Sequence, residues 1–254
     1  APSDEALIYD IQTMKNLGFN MIRKHVKVET ARWYYHCDRL GMIVWQDMVN
    51  GGTYNAPFMT WLPALFPKFK LHTSDRIHPL FGRKNVHGRE EFIRECKETV
   101  TALKAFPCIS TWVIFNEGWG QFDSKKLTAL FRELDDTRLI DSASGWFDRR
   151  QGDFKSEHNY FAKQFVTPSD RAFVISEYGG YTCQVKGHTC SGKTYGYKIC
   201  SSQEEFQAAY HKLMSEEIDP LKEQGLCGAV YTQLSDIEDE INGLITYDRE
   251  VCKL

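Results

Sequence analysis

The sequence lacks an excess of charge of either sign. Its 254 residues carry 31 Lys and Arg against 34 Asp and Glu, which gives a net charge of −3 with histidine neutral. Such a balance provides no basic surface of the kind that attracts nucleic-acid phosphates or anionic lipids. We therefore expect no nucleic-acid partner.

Long apolar runs are also missing. The longest runs have four residues, for example Met42–Trp45, whereas a helix that crosses a bilayer needs about 20 apolar residues. The chain also contains no low-complexity segment and no internal repeat. Membrane-spanning, collagen-like and disordered proteins are excluded as classes, and no membrane partner is expected.

The eight cysteines include no Cys-x-x-Cys pair, so they do not indicate a structural zinc site. Cys183, Cys190 and Cys200 share one predicted loop, and a disulfide among them stays open. The pattern otherwise favours reduced thiols and a cytoplasmic protein, with a periplasmic or secreted one as the alternative. The histidines show no metal-ligand spacing, so we expect no metal and no other cofactor.

What the sequence does contain is an alternation of helical and strand periodicity. Ser3, and the pair Ser202 and Glu205, mark helix starts. Seven strands are predicted, over residues 19–25, 42–47, 111–116, 138–144, 158–161, 172–177 and 228–234. Strands that alternate with helices form parallel α/β sheets with right-handed crossovers. The length suits a (β/α)8 TIM barrel, although a complete barrel has eight strands.

Polar and aromatic residues follow the carboxyl ends of these strands, which is where parallel barrels place their active sites. Apolar strands such as Trp112–Phe115 have no structural need to end in a carboxylate. Two carboxylates surrounded by aromatic side chains suit glycoside hydrolysis, because one protonates the leaving oxygen and the other attacks the anomeric carbon or activates water. The candidate site residues are Arg23, His25, Asp47, Asn116, Glu117, Trp119, Trp146, His158, Tyr160, Glu177, Tyr178 and Gln233.

The motifs around these residues resemble the barrel domain of family 2 glycoside hydrolases, which include β-galactosidases, β-glucuronidases and β-mannosidases. They are GFNMIRKH over 18–25, CDRLGMIVWQD over 37–47, WVIFNEGWG over 112–120, ISEYGG over 175–180 and YTQLSD over 231–236. The resemblance covers nearly the whole chain. It implies that residues 1–254 are the TIM-barrel catalytic domain of a longer chain with N-terminal β-sandwich domains, and a homo-oligomer stays open. The first strand here corresponds to the family's second, so strands 2 to 8 are expected, as an open sheet or one closed by a partner segment.

The resemblance also implies an activity. A retaining β-glycoside hydrolase cleaves terminal β-linked sugars through a covalent glycosyl-enzyme, with Glu117 as acid/base and Glu177 as nucleophile. Asn116 would bind the sugar 2-hydroxyl, and Arg23 would keep Glu177 ionised. In a retaining enzyme the two carboxyl groups lie about 5–5.5 Å apart. The expected partner is a β-glycoside carbohydrate, with β-galactosidase-like action as the preferred interpretation.

Alternatives remain for individual residues. Both glutamates would be structural if they only paired with Arg23 or Lys24. Asp47 is favoured as an ion-pair partner over a direct sugar ligand, and Arg23 and His25 are as well suited to supporting the site as to touching sugar. The tryptophans divide into expected sugar platforms, Trp119 and Trp146, and expected core residues, Trp33, Trp45 and Trp112.

Alternatives also remain for the function as a whole. One is another barrel glycosidase, such as a β-mannosidase, a β-glucuronidase, or an endo-acting mannanase or cellulase. The other is an inactive barrel that binds carbohydrate. Tyr231 and Gln233 stand where many relatives place a tryptophan, which leaves the sugar open. The lack of an Asn-x-Lys motif counts against a β-glucuronidase.

Overall fold

The computed structural model describes residues 2–55, 57–61, 63, 74–190 and 192–254. The chain divides into two compact units, Ala1–Ser156 and Glu157–Leu254.

The first unit is built on a four-stranded parallel sheet. Its strands, hydrogen-bonded in chain order, are β1 (Met21–Lys24), β2 (Ile43–Asp47), β3 (Ile109–Val113) and β4 (Leu139–Asp141). The helices that alternate with them are α1 (Asp4–Asn16), α2 (Ala31–Leu40), α3 (Val86–Leu103) and α4 (Ser124–Leu134), and a π-helical turn covers Pro57–Trp61. Four predicted strands and their parallel direction are thereby confirmed.

Local side chains set the ends of these helices. Ser3 Oγ accepts a hydrogen bond from the Ala6 amide at 3.3 Å, which caps α1 as predicted. Gly41 follows α2 with φ of 66°, in the left-handed region that glycine adopts without steric cost. Asn85 Oδ1 accepts from the Gly88 amide at 3.2 Å and caps α3, which begins at Val86.

The core of the first unit is apolar and aromatic. Trp112 of β3 is fully buried, and Trp33 and Trp45 are buried as well, which confirms their predicted role. The Trp112 indole donates to Asp135 Oδ2 at 3.0 Å, so its polar atom is satisfied inside the core. None of the described helices has the length and apolar composition that crossing a membrane requires.

The second unit is built on a three-stranded sheet, whose first strand begins just before Glu157, the first residue of this unit. Its strands are β5 (Phe154–Asn159), β6 (Ala172–Gly179) and β9 (Leu226–Thr232), with β6 in the centre and parallel to β9. Helix α5 (Gln203–Lys212) starts at Ser202, whose Oγ accepts from the Glu205 amide at 3.2 Å. It continues through a π-helical segment (Leu213–Ile218) into the short α6 (Asp219–Lys222).

A small parallel sheet in this unit was not predicted. It consists of β7 (Tyr181–Cys183) and β8 (Lys198–Cys200). Its register pairs Cys183 with Cys200, and both are buried as free thiols. Burial raises the pKa of both thiols, which keeps them protonated and unreactive at neutral pH. Cys190 is an exposed free thiol.

Candidate active site

The carboxyl ends of β1 and β2 are joined by a buried ion pair. Arg23 Nε donates to Asp47 Oδ1 at 3.0 Å and Arg23 Nη2 donates to Oδ2 at 2.8 Å, and both side chains are only 2% exposed. Burial alone would raise the pKa of Asp47, but the guanidinium charge of Arg23 and hydrogen bonds from His25 and Arg23 outweigh it and hold the pKa below its usual value. Asp47 therefore has the ion-pair role that the sequence favoured.

Arg23 and Asp47 also organise their neighbours. Arg23 Nη2 donates to Asn116 Oδ1 at 2.8 Å, which fixes the amide of the residue before Glu117. His25 Nδ1 lies 3.6 Å from Asp47 Oδ2, with its side chain 56% exposed. The four predicted residues Arg23, His25, Asp47 and Asn116 thus lie together at one edge of the sheet.

Glu117 occupies a strained turn beyond β3. Its φ is +52°, a left-handed conformation that is rare for a residue with a side chain and costs on the order of 1–3 kcal/mol. The Glu117 amide donates to the Ser144 carbonyl at 3.0 Å, so the turn is held against the chain beyond β4. Gly118 follows at φ of +72°, and a β-carbon there would overlap the ring of Phe147. Such strain persists where the surroundings impose it, and it is concentrated at functional sites.

Arg83, which holds the end of this turn, was missed by sequence reasoning. Its Nε donates to the Gly120 carbonyl at 2.9 Å and its Nη2 donates to Asn50 Oδ1 at 3.0 Å. The Asn50 amide donates to the Trp119 carbonyl in turn, and the Trp119 indole donates to the Gly52 carbonyl at 3.3 Å. Arg83 lies far from the motif in sequence and on no predicted element, so only the three-dimensional structure reveals its contact.

The two predicted sugar platforms of this unit differ in exposure. Trp119 is half-buried and remains accessible at the end of the turn. Trp146 is only 7% exposed and packs in an apolar cluster with Met59, Phe81 and Phe147. Its position just beyond a strand end suggested an open platform, but the residues of the long loop after β2 cover it, so its surroundings are those of a core residue.

In the second unit, Glu177 lies at an irregularity in β6. The β6–β9 register pairs Ile175 with Ala229 but Tyr178 with Tyr231, so β6 carries one more residue than β9 across Ser176 and Glu177. An extra residue of this kind is a β-bulge, which bends the strand and redirects a side chain, and bulges are frequent beside active sites. The Glu177 side chain is 12% exposed.

Two predicted residues of β5 and its end contact the Glu177 carboxylate. The Tyr160 hydroxyl donates to Glu177 Oε2 and lies 3.3 Å from Thr232 Oγ1. His158 Nδ1 lies 3.5 Å from the same Oε2, and the histidine side chain is fully buried. A hydrogen bond such as the one from Tyr160 favours the charged form of a carboxylate, so this contact suits an ionised Glu177.

Tyr178 was predicted as a substrate-binding residue, and the structure places its side chain on the packed side of β6. Its side chain is 1% exposed, its ring packs edge-on against Tyr231, and its hydroxyl donates to Met214 Sδ at 3.3 Å. Burial raises the pKa of Tyr178. The reason is strand geometry: successive side chains point to opposite faces of a sheet, so a residue next to Glu177 on β6 faces the packed side.

Beyond β9, Gln233 is tied to the loop that follows it. Its Nε2 donates to Asn242 Oδ1 at 2.8 Å, and its carbonyl accepts from the Leu244 amide at 3.0 Å. The peptide bond between Thr232 and Gln233 is cis. Gln233 is half-buried, and its role at the sugar stays a prediction.

The same loop is fixed by a buried ion pair that sequence reasoning missed. Lys253 Nζ donates to Asp236 Oδ1 at 2.7 Å and to the Ile241 carbonyl at 3.1 Å, with both ionic side chains almost fully buried. Asp236 Oδ1 also accepts from the Gly243 amide at 2.8 Å. These bonds stabilise the loop that carries Asn242 and so support Gln233.

The whole chain matches one family model. Residues 2–253 match the model described as "Glycosyl hydrolases family 2, TIM barrel domain". A curated relative, a beta-galactosidase of Priestia megaterium, is 24% identical over 213 residues, which are 76% of this chain and 17% of that protein. A beta-galactosidase of Streptococcus thermophilus is 24% identical over 144 residues, or 54% of this chain and 12% of that one.

Solved structures show the same fold. An FMN-binding beta-glucuronidase from Facaelibacterium prausnitzii L2-6 aligns over 99% of this chain and 39% of its own with a TM-score of 0.65 and 21% identity. A GH2 beta-galacturonidase from Eisenbergiella tayi aligns over 99% of this chain and 46% of its own with a TM-score of 0.65 and 16% identity. The chain thus spans less than a fifth of the curated relatives and less than half of these solved chains. The chain belongs to glycosyl hydrolase family 2, and the part of that family to which it corresponds is the α/β TIM-barrel domain.

Proposed function

We propose that this chain carries the catalytic carboxylates of a retaining β-glycoside hydrolase, with Glu177 as nucleophile and Glu117 as acid/base. The observation that carries the proposal is the environment of Glu177. A bulge in β6 redirects it, and Tyr160 and His158 approach one of its oxygens. The end of a strand does not need such an arrangement for stability. A carboxylate that must stay ionised and keep a fixed orientation does need it.

The conformation of Glu117 supports its assignment as the acid/base. A left-handed glutamate in a tight turn, followed by a glycine that only fits without a side chain, is an arrangement that costs stability. The surrounding contacts, from Asn116 held by Arg23 to Gly120 held by Arg83, keep it in place. A backbone strain that lowers stability and is nevertheless held by surrounding contacts favours a functional role for Glu117 over a structural one.

The proposed reaction has two steps. In the first, Glu177 attacks the anomeric carbon while Glu117 gives its proton to the departing glycosidic oxygen, which leaves a glycosyl ester on Glu177. In the second, Glu117 removes a proton from water, the water oxygen attacks the anomeric carbon, and the ester bond to Glu177 breaks. The product keeps the β configuration because the carbon is inverted twice.

For the substrate we propose a terminal β-linked sugar, with a β-galactoside as the preferred one. Two curated relatives carry the name beta-galactosidase, which supports this choice over the glucuronide and galacturonide names of the solved structures at lower identity. The proposal further assigns residues 1–254 to the catalytic domain of a longer chain with N-terminal β-sandwich domains, a protein of the length of its relatives.

The experiment that tests the activity follows the anomeric configuration of the product. Nitrophenyl β-galactoside, β-glucuronide and β-mannoside would be incubated with the chain, and the first product formed would be observed by proton NMR. The proposal predicts hydrolysis of one of them, with the β anomer released first. Initial release of the α anomer would refute the retaining mechanism, and preferential hydrolysis of the glucuronide would refute the choice of galactoside.

A further inference from the structure

We infer that Arg83 is a positioning residue for proton transfer: its guanidinium holds the turn over residues 117–120 in the conformation from which Glu117 reaches the leaving oxygen. The inference rests on the proposed function, because it takes Glu117 as the acid/base. It extends that function to a residue outside every motif of the family resemblance. Arg83 acts through the backbone of this turn.

Arg83 is a buried cation that binds neutral acceptors. It is 8% exposed. Its N–H groups donate to the Gly120 carbonyl at 2.9 Å, the Gly88 carbonyl at 3.4 Å and Asn50 Oδ1 at 3.0 Å, and no carboxylate in the described part of the chain forms an ion pair with it. Burial lowers the pKa of Arg83. Because burying a charge without a counterion is costly, the stability of the fold does not explain an arginine at this position.

The guanidinium of Arg83 is itself held in place. Its central carbon lies 4.8 Å from the centre of the Phe92 ring and 5.8 Å from that of Phe122, and aromatic faces attract cations at such distances. The Arg83 carbonyl accepts from Arg89 Nη1 at 2.5 Å, which fixes the backbone. A guanidinium presents its donors in one rigid plane, so a fixed Arg83 determines where its acceptors lie.

One guanidinium holds the last two carbonyls of the turn. Arg83 Nε binds the Gly120 carbonyl directly. Arg83 Nη2 binds Asn50 Oδ1, and the Asn50 amide group donates to the Trp119 carbonyl. The amide of Glu117 is held separately, by the Ser144 carbonyl at 3.0 Å. The turn is therefore fixed at both ends, and Arg83 controls one of them.

The contact between the turn and the segment of Arg83 leaves no space for adjustment. Gly120 has φ of +67°, and a β-carbon there would overlap the Gly51 carbonyl oxygen and approach Arg83 Nε to 2.8 Å. The Gly120 amide donates to the Phe81 carbonyl at 2.9 Å. Since backbone meets backbone here, a change in the bonds of Arg83 reaches the turn directly.

The conformation of Glu117 makes its orientation sensitive to these bonds. Its φ of +52° is unfavourable and persists only where the surroundings impose it. A general acid must lie within hydrogen-bond reach of the oxygen that it protonates, and a displacement of about 1 Å costs about 100-fold in rate. Loss of the Arg83 bonds should therefore slow proton transfer. The described contacts of Glu177 involve other residues, so nucleophilic attack should change little.

The test compares leaving groups in Arg83→Met, whose side chain can pack against the same aromatic rings but has no donor. Methyl and dinitrophenyl glycosides of the sugar that the chain hydrolyses would serve as substrates. We expect kcat/KM to fall about 10- to 100-fold on the methyl glycoside, which needs a proton, and less than about threefold on the dinitrophenyl glycoside, which does not. Arg83→Lys keeps the charge but loses the planar donors, so its loss should be intermediate.

The matched control is Arg138→Met. Arg138 also binds backbone carbonyls, those of Ile109 at 3.2 Å and Lys104 at 2.7 Å. These contacts lie at the amino end of β3, the end opposite to Glu117. Arg138→Met should lower the free energy of unfolding and leave the ratio of kcat/KM on the two substrates unchanged, because a smaller folded fraction lowers both values equally.

A second measurement does not depend on activity. The Trp119 indole N–H donates to the Gly52 carbonyl at 3.3 Å, and its signal among those of the six tryptophans is identified in a proton–nitrogen NMR spectrum with Trp119→Phe. Arg83→Met should shift this signal and speed its exchange with solvent, and Arg138→Met should not. If Arg83→Met does not fold, Asn50→Ala decides, because it removes only the link to Trp119. We expect a loss of about three- to tenfold on the methyl glycoside alone.

Two results would overturn the inference. One is an equal loss on both substrates in the folded variants at Arg83 and Asn50, which is the result of a purely structural role. The other is a Trp119 signal that these variants leave unchanged. An inactive wild-type chain whose Trp119 signal still depends on Arg83 would remove the proposed function and leave Arg83 as the residue that holds the turn.

Discussion

The hydroxyl of Tyr160 donates a hydrogen bond to Oε2 of Glu177, across the neighbouring strands β5 and β6. The contact joins the residue that follows β5 to the bulge of β6. It gives the carboxylate a fixed orientation and a donor that stabilises its charge.

Replacement of Tyr160 by Phe removes this donor and keeps the ring that stacks on Tyr197. A hydrogen bond to a charged group contributes about 1.5–3 kcal/mol, so we expect kcat/KM to fall about 10- to 100-fold. Without the donor the charged carboxylate is less stable, and the acidic limb of the pH profile should move to higher pH. Tyr195→Phe, at a tyrosine that is 55% exposed, is the matched control and should be silent. An unchanged rate and pH profile in Tyr160→Phe would show that the contact has no catalytic role.

Asp47→Asn should destabilise the fold, because it leaves the charge of buried Arg23 without its counterion. Breaking a buried pair costs about 3–5 kcal/mol, which urea unfolding at pH 7 would measure. The pKa of Asp47 is lowered in the folded chain, so the pair contributes its full stability above the unfolded value of about 3.9. That contribution disappears as the pH falls through the lowered folded pKa. The difference in unfolding free energy between the wild type and Asp47→Asn should therefore become smaller below about pH 4.

The control for Asp47 is Glu91→Gln, which removes one partner of an exposed pair with Arg94, 61% and 64% exposed. Exposed pairs contribute about 0–1 kcal/mol. Two results would contradict a stabilising role for the Arg23–Asp47 pair. One is an equal loss of unfolding free energy in Asp47→Asn and Glu91→Gln, and the other is a loss in Asp47→Asn that does not change with pH.

Gly118→Ala tests the packing of the turn that carries Glu117. Gly18 is a matched control, because it has φ of +89° with open space around its missing side chain, whereas a β-carbon on Gly118 would overlap Phe147. The left-handed backbone alone costs about 1–2 kcal/mol in each variant. The overlap should cost Gly118→Ala about 1–3 kcal/mol more, together with a loss of kcat. Equal unfolding free energies for the two variants would mean that the turn adapts without cost.

Glu117→Ala should show the kinetic signature of a lost general acid. Hydrolysis of alkyl glycosides, whose leaving groups need a proton, should fall by about 10²–10⁴-fold, because general acid catalysis contributes that much. Dinitrophenyl glycosides, which leave without a proton, should lose far less in their first step. Equal losses on both substrates would argue against the acid role and for a structural one.

Some strands were predicted from the sequence more accurately than others. Strands with apolar runs, such as β2 and β3, were located within a few residues, because burial on both faces leaves a clear pattern. β5 was placed at 158–161 but spans Phe154–Asn159, since Lys155, Ser156 and Glu157 interrupt its apolar pattern. The reason appears in the structure: Ser156 Oγ donates to buried Asp141 at 2.7 Å, so polar contacts replace apolar packing there.

At the site, the motifs identified residues but not the directions of their side chains. Tyr178 lies inside a recognised motif yet faces the packed side of β6, and Trp146 is covered by residues of a distant loop. Arg83 contacts residues that are 33 and 37 positions away in sequence, and Lys253 contacts residues that are 12 and 17 positions away. Long-range pairing of this kind leaves no local pattern. The family resemblance supplied the candidate residues, and only the packing shows which contacts hold them in place.

Covalent trapping of the nucleophile tests the assignment of Glu177. The chain would be incubated with activated 2-deoxy-2-fluoro β-glycosides, digested, and sequenced by mass spectrometry. We expect one added glycosyl group, on Glu177. The group should be absent in the Glu177→Gln variant and present in the control variant Glu216→Gln, in which Glu177 is intact. A label on any other residue, or hydrolysis that proceeds without a trapped ester, would contradict the assignment of Glu177.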